Sequence, residues 1–158
     1  MTLGDGVGPG RASPNAGASH GGKGGAKGAR AVYGDEKRPL IPGSGGSAAS
    51  QRVAGGAGGG LVYVSATNGN IVVDGEINAD ALGGGKLVNA VGASWGYGGG
   101  GSGGSILLES KVFRLGETGL LSARGGDTTP YSTVPSGSGG GGRIAVWCGN
   151  PWQENLPK

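Results

Sequence analysis

Nothing limits the folding of this chain more than its glycine, which supplies 42 of 158 residues and gathers into runs such as 98–101 and 139–142. A glycine gives up more backbone entropy on ordering than any other residue and offers no side chain to bury in return. A third of the chain as glycine and proline, without a strict Gly-X-Y period, is the composition of a low-complexity chain. Only organised apolar segments could turn such a sequence into a fold.

Three such segments stand above the glycine background, at 59–81, 103–125 and 141–149, and they superpose without gaps. At an offset of 44, Val62 meets Ile106, Val64 meets Leu108, Ile71 meets Leu115, Ile77 meets Leu121 and Ala79 meets Ala123. At an offset of 82, Ile144 meets Val62, Val146 meets Val64 and Cys148 meets Ala66. Apolar positions recur as well as glycines, which is the mark of a repeat architecture. Within each copy apolar and polar residues alternate. Val62, Val64 and Ala66 share one face, then Ile71, Val73, Gly75, Ile77 and Ala79 do the same. Period two means half-buried strands. Glu117 falls where the pattern wants an apolar residue and is assigned to a bend. No stretch reads as a helix.

Three regions follow: a glycine-rich segment at 1–50, partly ordered around Ala31-Val32-Tyr33; a β repeat domain at 51–149; and a tail at 150–158. The glycine runs between strands have two readings. They are loops, or they are polyproline-II-like strands packed side by side, which glycine permits. The lack of a strict period within the runs favours loops.

Bulk chemistry excludes more than it assigns. Thirteen basic against ten acidic residues leave +3, too thin a charge for a nucleic-acid binder. One cysteine, Cys148, rules out an internal disulfide framework and reads as a small buried residue. No apolar run reaches membrane-spanning length. The start of the chain has neither the basic nor the apolar region of a secretory signal.

The search for a catalytic constellation finds none. His20, the single histidine, sits among glycines without a nucleophile or an orienting acid, and reads as solvated or backbone-bonded. Residues 100–104 match the nucleophile-elbow pattern around Ser102, but no helix follows. We therefore expect no enzyme, no cofactor and no metal. Asp74, Glu76 and Asp80, on one face of one strand region, are the weak calcium candidates; a solvated outer face is the plainer account. Asp80 could also pair with Arg124 across neighbouring copies. Trp95, Tyr97, Trp147 and Trp152 are the candidates for a glycan or partner surface, with parity turning Trp147 outward. Thr128, Thr129, Ser132 and Thr133 could carry O-glycans.

The segments GGGLVYVSA, IVVDGEINADA, GGSILLESK and GLLSARGG, with the ending GSGGGGRIAVWCG and the earlier stretch His20–Gly25, resemble the repeats of large glycine-rich bacterial surface proteins. That resemblance implies a pectate-lyase-like parallel β-helix, or a stacked solenoid with long glycine-rich loops. It also implies an extracellular or cell-surface setting, as a mature chain or a fragment of a longer secreted protein. The role it implies is a structural or adhesive scaffold without transferable catalytic residues. A polysaccharide-binding or polysaccharide-cleaving module on the same fold is the alternative. A short stack of coils leaves open strand edges, so self-association into a filament is expected, with a surface polysaccharide as the second candidate partner.

Overall fold

A computed structural model describes residues 6–13, 15–48, 53–88, 94–128 and 136–149. Among them there is no helix, and seven strands account for the regular structure. These are β1 (Leu61–Val73), β2 (Glu76–Asn78), β3 (Lys86–Val88), β4 (Ser94–Tyr97), β5 (Ser105–Leu115), β6 (Leu120–Ser122) and β7 (Arg143–Cys148). Strands β1, β5 and β7 form a parallel sheet in the order β1-β5-β7, β2 and β6 form a parallel pair, and β3 and β4 an antiparallel one.

The repeat is real in space. Val62 pairs with Ile106, Val64 with Leu108, and Ile77 with Leu121, at the offset of 44. Ile106 and Leu108 pair in turn with Ile144 and Val146. Between Ala66 and Asn70 the register slips, so that Ile71 pairs with Phe113 and Val73 with Leu115. A bulge of this kind puts extra residues in one strand. Glu117 then falls in the turn between β5 and β6.

The parallel β-helix does not form. No solenoid coil and no closed barrel is found, and the sheets are small. The physical reason lies in what precedes and follows the strands. Each repeat goes out and back: segment 55–60 runs into β1, and β2 returns through 79–85. Segment 98–104 runs into β5, and β6 returns through 123–126. Segment 137–142 then runs into β7. A coil would need its chain to turn sideways, whereas these reverse.

Nor are the glycine runs loops. The N–H groups of Gly98, Gly101 and Gly104 donate to Gly85, Leu82 and Ala79. Those of Gly99 and Gly100 go to Ser47 and Gly137, and those of Ser102 and Gly103 to Ser44 and Gly140. Successive donors thus address three different neighbours and return to the first after three residues. Three residues per turn is the period of the polyproline II helix, which makes no hydrogen bonds within itself and must find them outside. The carbonyls complete the set, since Gly99 and Ser102 accept from Gly56 and Gly59, Gly100 from Ala18, and Gly101 from Gly126. Segment 98–104 is therefore the buried axis of a bundle of extended chains, with six others around it.

Glycine is required here for closeness. Of the described glycines only Gly8 and Gly34 take a positive φ. At most of the others a Cβ would run into a neighbour's backbone, as at Gly103, where it would lie 2.6 Å from Gly142 N. The bundle thus recovers glycine's entropy cost through satisfied peptide groups in close contact.

An apolar core caps one end. Ile106 and Leu108, fully buried, pack with Ala79, Val62, Ile77, Phe113, Leu121, Ala123 and Val146 between the three-stranded sheet and the β2–β6 pair. On the other face of β5, Leu107 is also fully buried. A strap at 35–42 crosses that face: the Ser105 hydroxyl donates to Ile41 O at 2.7 Å, and Arg38 pairs with Glu109 at 3.2 Å. Pro39, within the strap, is fully buried as well.

Candidate functional site

His20 is held at the end of segment 16–20, fully buried. Its Nδ1 lies 2.8 Å from Gly103 O and its ring stacks on Tyr33 at 4.6 Å between centroids. Arg143 donates from Nε and Nη2 to Tyr33 O, at 3.1 and 3.0 Å. Burial, with the nearby guanidinium of Arg143, holds the imidazole below its ordinary pKa, against the upward pull of the Gly103 carbonyl. The Gly103 carbonyl can only accept, which places a proton on Nδ1, and Nε2 is buried without a partner among the described residues. Gly34, at φ 82°, turns the chain beside that nitrogen, where a Cβ would approach Nε2 to 3.3 Å. The backbone-bonded reading of His20 matches this geometry.

Ser102 lies in the bundle axis and not at an elbow. Its Oγ accepts from Ser44 N at 2.8 Å and is fully buried. Ser44 Oγ accepts from Gly10 N at 3.0 Å and donates to Tyr33 Oη at 2.8 Å. Ser47 Oγ exchanges hydrogen bonds with Ala16 N and O, and Ser19 Oγ accepts from Gly24 N and donates to Arg30 O. Each hydroxyl adds a hydrogen bond between two chains, as Ser102 Oγ does beside the direct bond from Ser102 N to Ser44 O. Sequence reasoning missed this function, because serine in a glycine run reads as linker. The available signal was the spacing of Ser44 and Ser47, three residues apart, and of Ser102, three residues before the start of β5.

The acidic face is tied by hydrogen bonds within and between the repeats. Among the described residues no group of three or more His, Cys, Asp or Glu side chains could hold an ion. Asp80 Oδ1 accepts from the Ser122 hydroxyl at 2.6 Å and from the Arg124 N–H. Partial desolvation works upward on this carboxyl, but these bonds and the Arg124 charge outweigh it and hold the pKa below the usual range. The Asp80–Arg124 pairing across copies therefore exists, made through the backbone amide. Asn78 bridges Glu76 and Asp80, donating to Glu76 Oε1 at 2.9 Å and accepting from Asp80 N at 2.7 Å. Asp74 O accepts from the Thr118 hydroxyl.

The aromatic candidates are separated. Trp95 and Tyr97 lie on β4, which feeds the start of segment 98–104, whereas Trp147 lies on β7, beyond the far end of the parallel segment 137–142. Trp147 is 49% exposed, and its Nε1 donates to Lys37 O at 2.7 Å, pinning the strap. Trp152 lies outside the described residues. So do Thr129, Ser132 and Thr133, whereas the Thr128 hydroxyl donates to Ser136 O at 3.0 Å. Cys148 is a half-buried free thiol beside Ser110.

No helix among the described residues is long and apolar enough to cross a membrane. Comparison of the chain with protein-family models, curated proteins and solved structures finds no match.

Proposed function

We propose that this chain is a structural or adhesive scaffold of the cell surface or extracellular space, working as a stiff rod-like support and not as an enzyme. The observation that carries the reading is segment 98–104, whose seven consecutive N–H groups are all donated to neighbouring chains. A core made of peptide groups in close contact admits little rearrangement, which suits load-bearing and presentation more than catalysis. Strands β3 and β4, with the described residues at 26–28 and 127–128, lie at the end of the bundle remote from the apolar core. Connections that leave a rigid support are where binding residues are placed.

A polysaccharide-binding role is the second reading, favoured by the half-exposed Trp147 ring on the sheet face. The cleaving variant of that reading rested on a β-helix groove and goes with it. The test is incubation of purified protein with an immobilised panel of bacterial surface polysaccharides, reading retained protein and released reducing ends together. Saturable retention without new reducing ends is the expected result. Reducing ends growing in proportion to added protein would overturn the scaffold reading.

A further inference from the structure

The bundle is built from one ladder used twice, and its two outer halves are unused. Gly56 and Gly59 donate to the carbonyls of Gly99 and Ser102, and one repeat later Gly100 and Gly103 donate to Gly137 and Gly140. Continuing the series, the next donors are the N–H groups of Ser138 and Gly141, on the last outward chain. The matching acceptors, one repeat before Gly99 and Ser102, are the carbonyls of Gly55 and Gly58, on the first. Among the described residues none of these four groups has a hydrogen-bond partner.

The glycines say the same thing independently. A Cβ on Gly59 or Gly103 would strike the N–H of the next outward chain, at Gly104 and Gly142 respectively. A Cβ on Gly104 or Gly142 would strike the previous outward chain, at the carbonyls of Gly60 and Gly104. Their equivalents at the two margins, Gly141 and Gly60, meet nothing within 4 Å. Apart from Gly75 in a turn, no other glycine whose surroundings are described has open space at that position. Both are bare although nothing in their own chain requires it.

We infer that a second copy of this chain is the missing neighbour: the 137–142 margin of one molecule docks in parallel on the 55–60 margin of the next. The inference rests on the scaffold reading and gives it a partner and a geometry. A groove of about 570 Å³ lies along 54–58, between that segment and residues 6–9, lined by glycine, alanine, proline and Val7. Segment 21–25 of the docking copy fits it. Gly22 and Gly25 donate to Gly141 and Ser138, as Gly43 and Gly46 donate to Gly59 and Gly56. In the axis, Gly99 N–H donates to Ser47 O, and the same step would carry Gly55 and Gly58 N–H to carbonyls of the incoming 21–25. Ser138 carries a side chain where Gly100 has none, and its hydroxyl is turned to Thr128, accepting from Thr128 N at 3.3 Å. The sheet agrees, since β7 and β1 are its two open edges. The two surfaces differ, so the contact is head-to-tail, and it propagates as a filament where its rotation does not close a ring.

The experiment compares wild type with Gly60→Leu and Gly141→Leu by sedimentation velocity over a hundredfold concentration range, with negative-stain microscopy. Wild type should form linear assemblies. Each variant alone should be monomeric with the wild-type circular dichroism spectrum and melting temperature, because each side chain enters open space. Mixed one to one, the variants should give dimers and nothing longer, since each retains one intact margin. A wild type that stays monomeric, or variants that assemble as wild type does, overturns the inference. Polysaccharide retention by that monomer leaves the scaffold reading standing, so the two fail separately.

Discussion

The Nδ1 of His20 lies 2.8 Å from the carbonyl oxygen of Gly103, a residue 83 positions later, and brings a side-chain donor to the bundle axis. A peptide N–H serves the equivalent carbonyl, Gly100 O, one turn earlier. The ring thus stands in for backbone at the point where the bundle gives way to the sheet.

That substitution makes stability depend on pH. The folded state holds the imidazole below its ordinary pKa of 6.5, chiefly through burial. Below pH 6.5 the unfolded chain takes a proton that the folded chain refuses, so stability falls on acidification and levels once the folded ring titrates. Urea midpoints between pH 7.5 and 5 should show the decline, and His20→Phe should flatten it while lowering the midpoint at pH 7.5. A wild-type midpoint that rises on acidification contradicts this.

Gly101 lies in the axis, where an added methyl meets the carbonyl of Ala57. Gly101→Ala should cost about 3 kcal/mol or more, because backbone on both sides has nowhere to move. Gly60→Ala, with open space, should be neutral or stabilise by about 0.4–1 kcal/mol through the unfolded state. Chemical denaturation of the pair measures the contrast, and equal effects would contradict the bundle.

Ser102→Ala leaves the backbone bonds between segments 98–104 and 43–47 in place and removes the hydroxyl between them. Ser44 N–H then loses its 2.8 Å acceptor in a buried setting. The cost should be about 1–3 kcal/mol. Recovery by Thr, which restores the hydroxyl, separates the bridge from simple packing; equal loss in Ala and Thr variants would point to packing alone.

The strap over Leu107 is tied by the indole of Trp147 to Lys37 O at 2.7 Å. Trp147→Phe should loosen it by about 1 kcal/mol. Limited trypsinolysis after Lys37 should then run about fivefold faster, as a 1 kcal/mol change in an opening equilibrium implies. An unchanged cleavage rate would remove the tether from the account.

Strand content and register were legible because side chains announce them. The alternation from Val62 to Ala66, and its recurrence at Ile106 and Ile144, gave the β1–β5–β7 pairing directly. The slip after Ala66 was not legible, and taking Ile71 against Leu115 hid its true partner, Phe113. The glycine runs were opaque for a deeper reason. Their partners are chosen by peptide groups that every residue possesses, so nothing in 98–104 names 79–85, 43–47 or 137–140. A solenoid was inferred from the repeat because repeat length says how far the chain travels and not which way it turns. Of the site, parity turned Trp147 outward, but its distance from Trp95 and Tyr97 depended on the reversals the repeat concealed.

A molecule whose main axis buries amide groups responds to temperature differently from one that buries hydrocarbon. Exposure of apolar surface raises the heat capacity on unfolding and exposure of polar surface lowers it, with ordinary domains netting about 12–15 cal/mol/K per residue. Among the described residues the fully buried aliphatic side chains larger than valine are Ile106, Leu107 and Leu108, while segment 98–104 contributes mostly peptide. Calorimetry should find a per-residue heat capacity increment well under that range. The free-energy curve is then shallow, and the fold loses little of its stability in the cold, where a hydrocarbon core of the same size would be weakening.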